Sequence, residues 1–114
     1  VHGHDTCEPS RIRTILDHAD HPNVYACWNS NPADLKGGSI RENFELLADD
    51  IGLVHMRDLC VPDYPWLELL GGLRGVGYEG FCLAEIPESQ QPERIMDYYR
   101  ALWDAYHRIL DLEG

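Results

Sequence analysis

Four short apolar segments each end in residues able to do chemistry. His4 and Asp5 close the first, Asn29 and Asn31 follow the second, His55, Arg57 and Asp58 end the third, and Glu85 and Glu88 end the fourth. Imidazole nitrogens and amide or carboxylate oxygens are the donors that suit Mg²⁺, Mn²⁺, Co²⁺ or Zn²⁺, so one donor from each segment could surround a divalent ion without strain. The Glu85 carboxylate directly follows the apolar run 81–84, where it would be expensive to bury without a cation or a hydrogen-bond donor beside it. His55, between Leu53-Val54 and Arg57-Asp58, is a candidate ligand on the same grounds. His2 and His21 read as hydrogen-bonded loop residues.

Such residues meet only if the apolar segments are strands whose ends lie together. After residues 1–5, a helix is expected over 9–19, with Pro9 in its first turn and Ile12, Ile15, Leu16 and Ala19 on one face. A strand over 23–28 precedes a second helix. That helix starts at Ser39, which stands three residues before Glu42 as in a capping box and leads into the stripe Ile40, Phe44, Leu47 and Ala48. The third strand covers 51–56. A loop with Asp63, Tyr64 and Pro65 then opens a helix carrying Leu67, Leu70 and Leu73, which stops at 75–77. The fourth strand is 81–86, and the last helix, 92 to about 110, presents Ile95, Tyr99, Leu102, Tyr106 and Ile109.

This is a βα unit written four times, at the 25 to 30 residue interval of α/β architecture. A (β/α)₈ TIM barrel needs about 250 residues, so the 114 residues here are expected to form the C-terminal half of one. The alternative is an open doubly wound sheet, but no G-x-G-x-x-G or P-loop follows any strand. Residues 1–114 read as one partial domain of a longer protein, since the chain opens on Val1, inside an expected strand. In a barrel the C-terminal strand ends converge on the active site, which is where all these polar residues fall.

Composition narrows the partners. Nine Lys and Arg against twenty Asp and Glu give a formal charge of -11, which repels a phosphate backbone or an anionic membrane surface. Neither nucleic acid nor membrane is an expected partner. No apolar run approaches the length of a membrane span and no signal peptide is evident, so a cytoplasmic location is expected. Cys7, Cys27, Cys60 and Cys82 form no C-x-x-C pair and read as reduced thiols. The edge strands of a half barrel would be unpaired, so either a missing N-terminal half or self-association is expected.

The segments Trp28-Asn29-Ser30-Asn31, Leu53-Val54-His55-Met56-Arg57-Asp58, and Gly77-Tyr78-Glu79-Gly80-Phe81 leading to Ala84-Glu85 resemble the C-terminal half of the xylose isomerase-like TIM-barrel superfamily, the sugar phosphate isomerases and epimerases. The resemblance spans nearly the whole chain. It places His55 and Glu85 at metal-ligand positions, and Asn29 where the family usually has a metal-binding Asp. The chain also departs from that pattern. Asn29 offers a neutral amide in place of a carboxylate, Pro32 stands where the family has a His, and Asp63-Tyr64-Pro65-Trp66 replaces a Gly-rich stretch. The family's first ligand, a Glu on a strand at or before Val1, is not in the chain.

The resemblance implies a divalent-metal-dependent isomerase or epimerase of a sugar or sugar phosphate, in which the metal makes a C–H beside a carbonyl acidic. Glu85 would be both ligand and general base, with His55 and Asn29 completing the ligand set. His4, Asn31, Arg57, Asp58 and Trp66 would contact the substrate, Trp66 together with Tyr64 as an apolar wall for a sugar ring. The alternative implied by Asn29 and Pro32 is a noncatalytic sugar- or metabolite-binding barrel with a degenerate metal site. The related endonuclease IV branch needs a basic DNA-binding face, against which the charge of -11 argues.

Overall fold

The structure, a computed structural model, describes Val1 and residues 6–113. It is an α/β fold of three parallel strands and four α-helices. In chain order these are α1 (Pro9–Ala19), β1 (Ala26–Trp28), α2 (Arg41–Leu47), β2 (Ile51–Met56), α3 (Trp66–Gly75), β3 (Cys82–Ala84) and α4 (Pro92–Glu113), with 3₁₀ turns at Pro32–Asp34 and Ala48–Asp50. The strands pair in sequence order, β1 with β2 and β2 with β3. The expected first strand falls mostly outside the described residues. Val1 itself lies beside β1, accepting a hydrogen bond from Cys27 N at 3.2 Å and donating from its amino group to the Tyr25 carbonyl at 2.7 Å.

Parallel partners share a face, and the register puts Trp28, Val54 and Cys82 on one side, Cys27 with Leu53 and His55 with Leu83 on the other. Trp28, Val54 and Met56 are buried beneath the helices with Phe44, Leu69 and Leu70. The Trp28 and Phe44 rings meet edge to face with centroids 5.5 Å apart. The opposite face is bare toward β3, where Phe81 is 74% exposed and Leu83 is also open. Parallel sheets normally bury both faces. The radius of gyration of 14.6 Å exceeds the ~13 Å of a close-packed chain of this length, as a sheet covered on one side requires.

The helix ends follow local chemistry. Pro9 opens α1, and Asp20, in the left-handed region at φ 41°, ends it by donating its N–H to the Leu16 carbonyl. Gly77, at φ 71°, closes α3: its N–H bonds the Arg74 carbonyl at 3.1 Å while Tyr78 N–H reaches Leu73 O at 2.9 Å, the paired pattern of a Schellman motif. The start of α2 corrects the expected capping box. Ser39 Oγ does accept from Arg41 N at 3.1 Å, but Glu42 is ion-paired with Lys36 at 2.9 Å, and the carboxylate at the helix start is that of Glu68 of α3, bonded to Ser39 Oγ at 2.7 Å and Ile40 N at 2.5 Å.

The buried face of α4 also differs from the sequence expectation. Leu102 and Ile109 are exposed, and the inward residues are Tyr99, Trp103, Tyr106 and Leu110, spaced by four, three and four as one helical stripe. Leu110 enters the space beside Gly71 of α3, where an added Cβ would lie 3.5 Å from Leu110 Cδ2. Near the C-terminal end of α3, Arg74 bonds Asp111 Oδ1 and His107 Nδ1, both at 2.7 Å. Burial and then the Arg74 charge hold His107 below its ordinary range, which keeps Nδ1 an acceptor. No helix among the described residues is long and apolar enough to cross a membrane.

Candidate functional site

The site is built at the C-terminal ends of the three strands. Alternation along β2 puts Val54 and Met56 into the core and turns His55 to the bare face. Asn29 follows β1 and Glu85 follows β3, so the two flank β2 on either side. His55 Nδ1 lies 2.9 Å from Asn29 Oδ1 and 3.2 Å from Glu85 Oε2. Both neighbours present oxygens that accept, so Nδ1 carries the proton in this arrangement. The His55 side chain is 18% exposed and that of Glu85 55%, an inner imidazole under an accessible carboxylate.

Two oxygens at these distances from one ring nitrogen are also spaced as adjacent ligands of a single ion. Metal–ligand bonds of about 2.1 Å at right angles set neighbouring donors about 3 Å apart. With the Nδ1 proton lost, Asn29, His55 and Glu85 could offer a divalent ion a partial set: one nitrogen, one amide oxygen and one carboxylate. Among the described residues, no three His, Cys, Asp or Glu side chains gather so as to hold a metal.

A second network, which the sequence did not announce, underlies the first. Asp34, only 3% exposed, accepts hydrogen bonds from Tyr64 OH and Asn31 N, both at 2.7 Å, and Trp28 Nε1 donates to Tyr64 OH at 3.0 Å. Burial pushes the Asp34 carboxyl up to about 6, against the opposing effects of Tyr64, the Asn31 amide and Arg57. Tyr64 is pushed well above its ordinary range by burial and by Asp34. The only local signal for this network is the spacing Asn31-Pro32-x-Asp34, which suits a carboxylate reaching back to the turn's first N–H. That Tyr64 would complete it, thirty residues on, is invisible in the local pattern.

The network fixes the loop after β1. Ser30 is buried with φ 54°, and its Oγ donates to the His55 carbonyl at 2.8 Å. Arg57 returns the link, donating from Nε to the Ser30 carbonyl at 2.9 Å and from Nη2 to Asn31 Oδ1 at 2.7 Å. Asn31 and Arg57 therefore come together beside the His55 group. Asp58 is turned to its own loop, its Oδ1 accepting from Cys60 N at 3.4 Å. Trp66 corrects the expected sugar-facing wall. It is 3% exposed, its Nε1 donates to the Val61 carbonyl at 3.2 Å, and its ring packs 4.5 Å from that of Tyr64, so the pair belongs to the core. His4 lies outside the described residues.

Asp34 makes stability pH-dependent. Its folded value is raised from 3.8 to about 6, so the protonated carboxyl favours the fold. That stability is complete below pH ~4 and is lost as pH rises through ~6, a difference on the order of 3 kcal/mol. Asp34→Asn keeps an oxygen for Tyr64 and Asn31 and removes the buried charge. Urea unfolding at pH 4.5 and pH 7 should show the variant about 1–3 kcal/mol more stable at pH 7, with the slope across this window gone. A variant less stable at pH 7 with an unchanged slope would mean that the charge, not the acceptor, holds the loop.

Compared with protein-family models, with curated proteins and with solved structures, the chain finds no match.

Proposed function

We propose that this chain is part of a sugar or sugar-phosphate isomerase or epimerase of the xylose isomerase-like type, acting by proton abstraction beside a carbonyl. The supporting observation is the gathering of Asn29, His55 and Glu85 about one nitrogen at the C-terminal ends of adjacent parallel strands. A divalent ion held by these three side chains would polarise the substrate oxygens next to the C–H bond. Glu85 is the accessible carboxylate of the set and takes the proton. His55, inner and pinned by two neighbours, fixes where Glu85 sits. Asn31 and Arg57 offer polar groups to substrate oxygens. In this reading the sheet is half of a (β/α)₈ barrel, and further βα units or a second copy cover the face that leaves Phe81 open.

A second reading, a noncatalytic sugar- or metabolite-binding barrel, is favoured by the amide at Asn29 and by the absence of a three-ligand His, Cys, Asp or Glu group among the described residues. Metal binding separates the two. Titration with Mn²⁺, Co²⁺ or Zn²⁺ should show one site, and His55→Ala should weaken it at least about tenfold. Stoichiometric metal bound equally well by His55→Ala removes the ligand assignment; no binding by the parent protein moves the choice to the binding module.

A further inference from the structure

The helix α4 carries a second apolar row besides the one it turns into the core. Ile95, Tyr98, Leu102, Ala105, Ile109 and Leu112 recur at intervals of three, four, three, four and three, the spacing of the a and d positions in a coiled-coil seam. The row lies across the helix from His107 and Asp111, which bond Arg74 of α3. Leu112 is 88% exposed and Tyr98 53%, and Leu102, Ala105 and Ile109 are also open to solvent. Apolar residues scattered singly on a surface are ordinary, but a row in helical register is a contact face.

We infer that α4 pairs antiparallel with α4 of a second copy of this chain along this row. The spacing selects a helix as the occupant, because a seam repeating every 3.5 residues stays in contact only with another helix wound beside it. The order of residues selects the chain itself. Turned end for end about the midpoint between Leu102 and Ala105, the row sets Ile95 against the partner's Leu112, Tyr98 against the partner's Ile109, and Leu102 against the partner's Ala105, so the smallest side chain meets a large one in every layer. A parallel pair would stack Ala105 on the partner's Ala105 and leave a gap. The inference stands apart from the proposed function, since the next helix of a (β/α)₈ barrel would run parallel to α4.

Two copies of a chain with a net charge of -11 repel each other unless the contact is poor in carboxylates. The seam meets that condition. Arg94, Ala101 and Arg108 border it on one flank and Tyr99 and Tyr106 on the other, with Glu113 at the last turn as the one bordering carboxylate. In the antiparallel register Arg108 comes nearest the partner's Ala101, so the arginines are kept apart. Arg94 Nε also donates to Tyr98 OH at 2.7 Å, which orders that ring at the seam before any partner arrives. From 95 to 112 the row is about 26 Å long and roughly 10 Å wide, well below the ~800 Å² per partner of a standard interface. The dimer is therefore a reversible one.

Sedimentation velocity of the 114-residue chain over about 5–500 μM should show a monomer–dimer equilibrium. Leu102→Glu should weaken it at least about tenfold while leaving the unfolding midpoint in place, because Leu102 is exposed in the monomer. Ala105→Lys should weaken it likewise, and mixing the two variants should restore association, since the antiparallel register sets those two positions together. Phe81→Glu, on the bare sheet face, should dimerise as the parent does. A chain that is monomeric throughout, or a dimer indifferent to Leu102→Glu, would overturn the inference. A mixture that fails to recover would overturn the antiparallel register.

Discussion

Glu85→Gln should slow exchange of a substrate C–H with deuterated water by a factor of about 10² or more, measured across ketoses and their phosphates with metal supplied. Gln keeps the size of the side chain and one oxygen donor. It removes the charge and the ability to accept a proton. Because the carboxylate is 55% exposed while leaning on His55 Nδ1 at 3.2 Å, the substitution should leave the fold intact, and unfolding midpoints should match. Metal affinity should fall less for Glu85→Gln than for Glu85→Ala. Exchange by Glu85→Gln at the parent rate would transfer the base to another group. No exchange by the parent on any substrate would leave the binding-module reading in its place.

Trp28→Ala should cost about 3–5 kcal/mol of stability, read from urea unfolding of both proteins at one pH. Trp28 is buried at the sheet end against Phe44, and deleting it opens a cavity that the ring edge cannot fill. It also removes the donor to Tyr64 OH, which in turn holds Asp34. In a domain whose total stability is of order 5–15 kcal/mol, such a loss approaches unfolding. Trp28→Phe is the control: it retains most of the volume, loses the N–H, and should cost less than half as much. Equal losses for the two variants would show that the hydrogen bond outweighs the packing.

How much of this was legible in the sequence depended on whether the deciding partner was local. Both ends of α1 match the expected 9–19 because Pro9 and the Ile12 and Leu16 spacing act within the helix itself. The third apolar segment became β2 without change, Ile51–Met56. The second and fourth expected strands shortened to Ala26–Trp28 and Cys82–Ala84, since pairing with β2, not apolar character, decides where a ladder ends. On α4, Tyr99 and Tyr106 turn inward as expected, but Leu102 and Ile109 are as apolar as Trp103 and Leu110, so periodicity alone does not choose between them; packing against the core does. Capping of α2 by Glu68 has the same origin, an acceptor from 28 residues away.

The candidate site divides along the same line. That His55, Asn29 and Glu85 fall at strand ends follows from alternation and element order, both carried by the sequence. That Arg57 is clamped and Trp66 buried depends on how the loops after β1 and β2 pack, which no local spacing encodes. Asp34 was missed because one acidic residue among twenty looks like surface, and only Tyr64 and Trp28 enclose it.

Ser30 couples two strand ends into one moving part. Its hydroxyl holds the His55 carbonyl and its carbonyl is held by Arg57, while its left-handed backbone is a conformation glycine would adopt more readily but without the hydroxyl. Two hydrogen bonds of opposite sense therefore tie the loop after β1 to the end of β2. If the proposed substrate binds at this end of the sheet, it would meet Asn31 and Arg57 already positioned by the fold, and fit to a fixed template would then matter more than closure around the ligand.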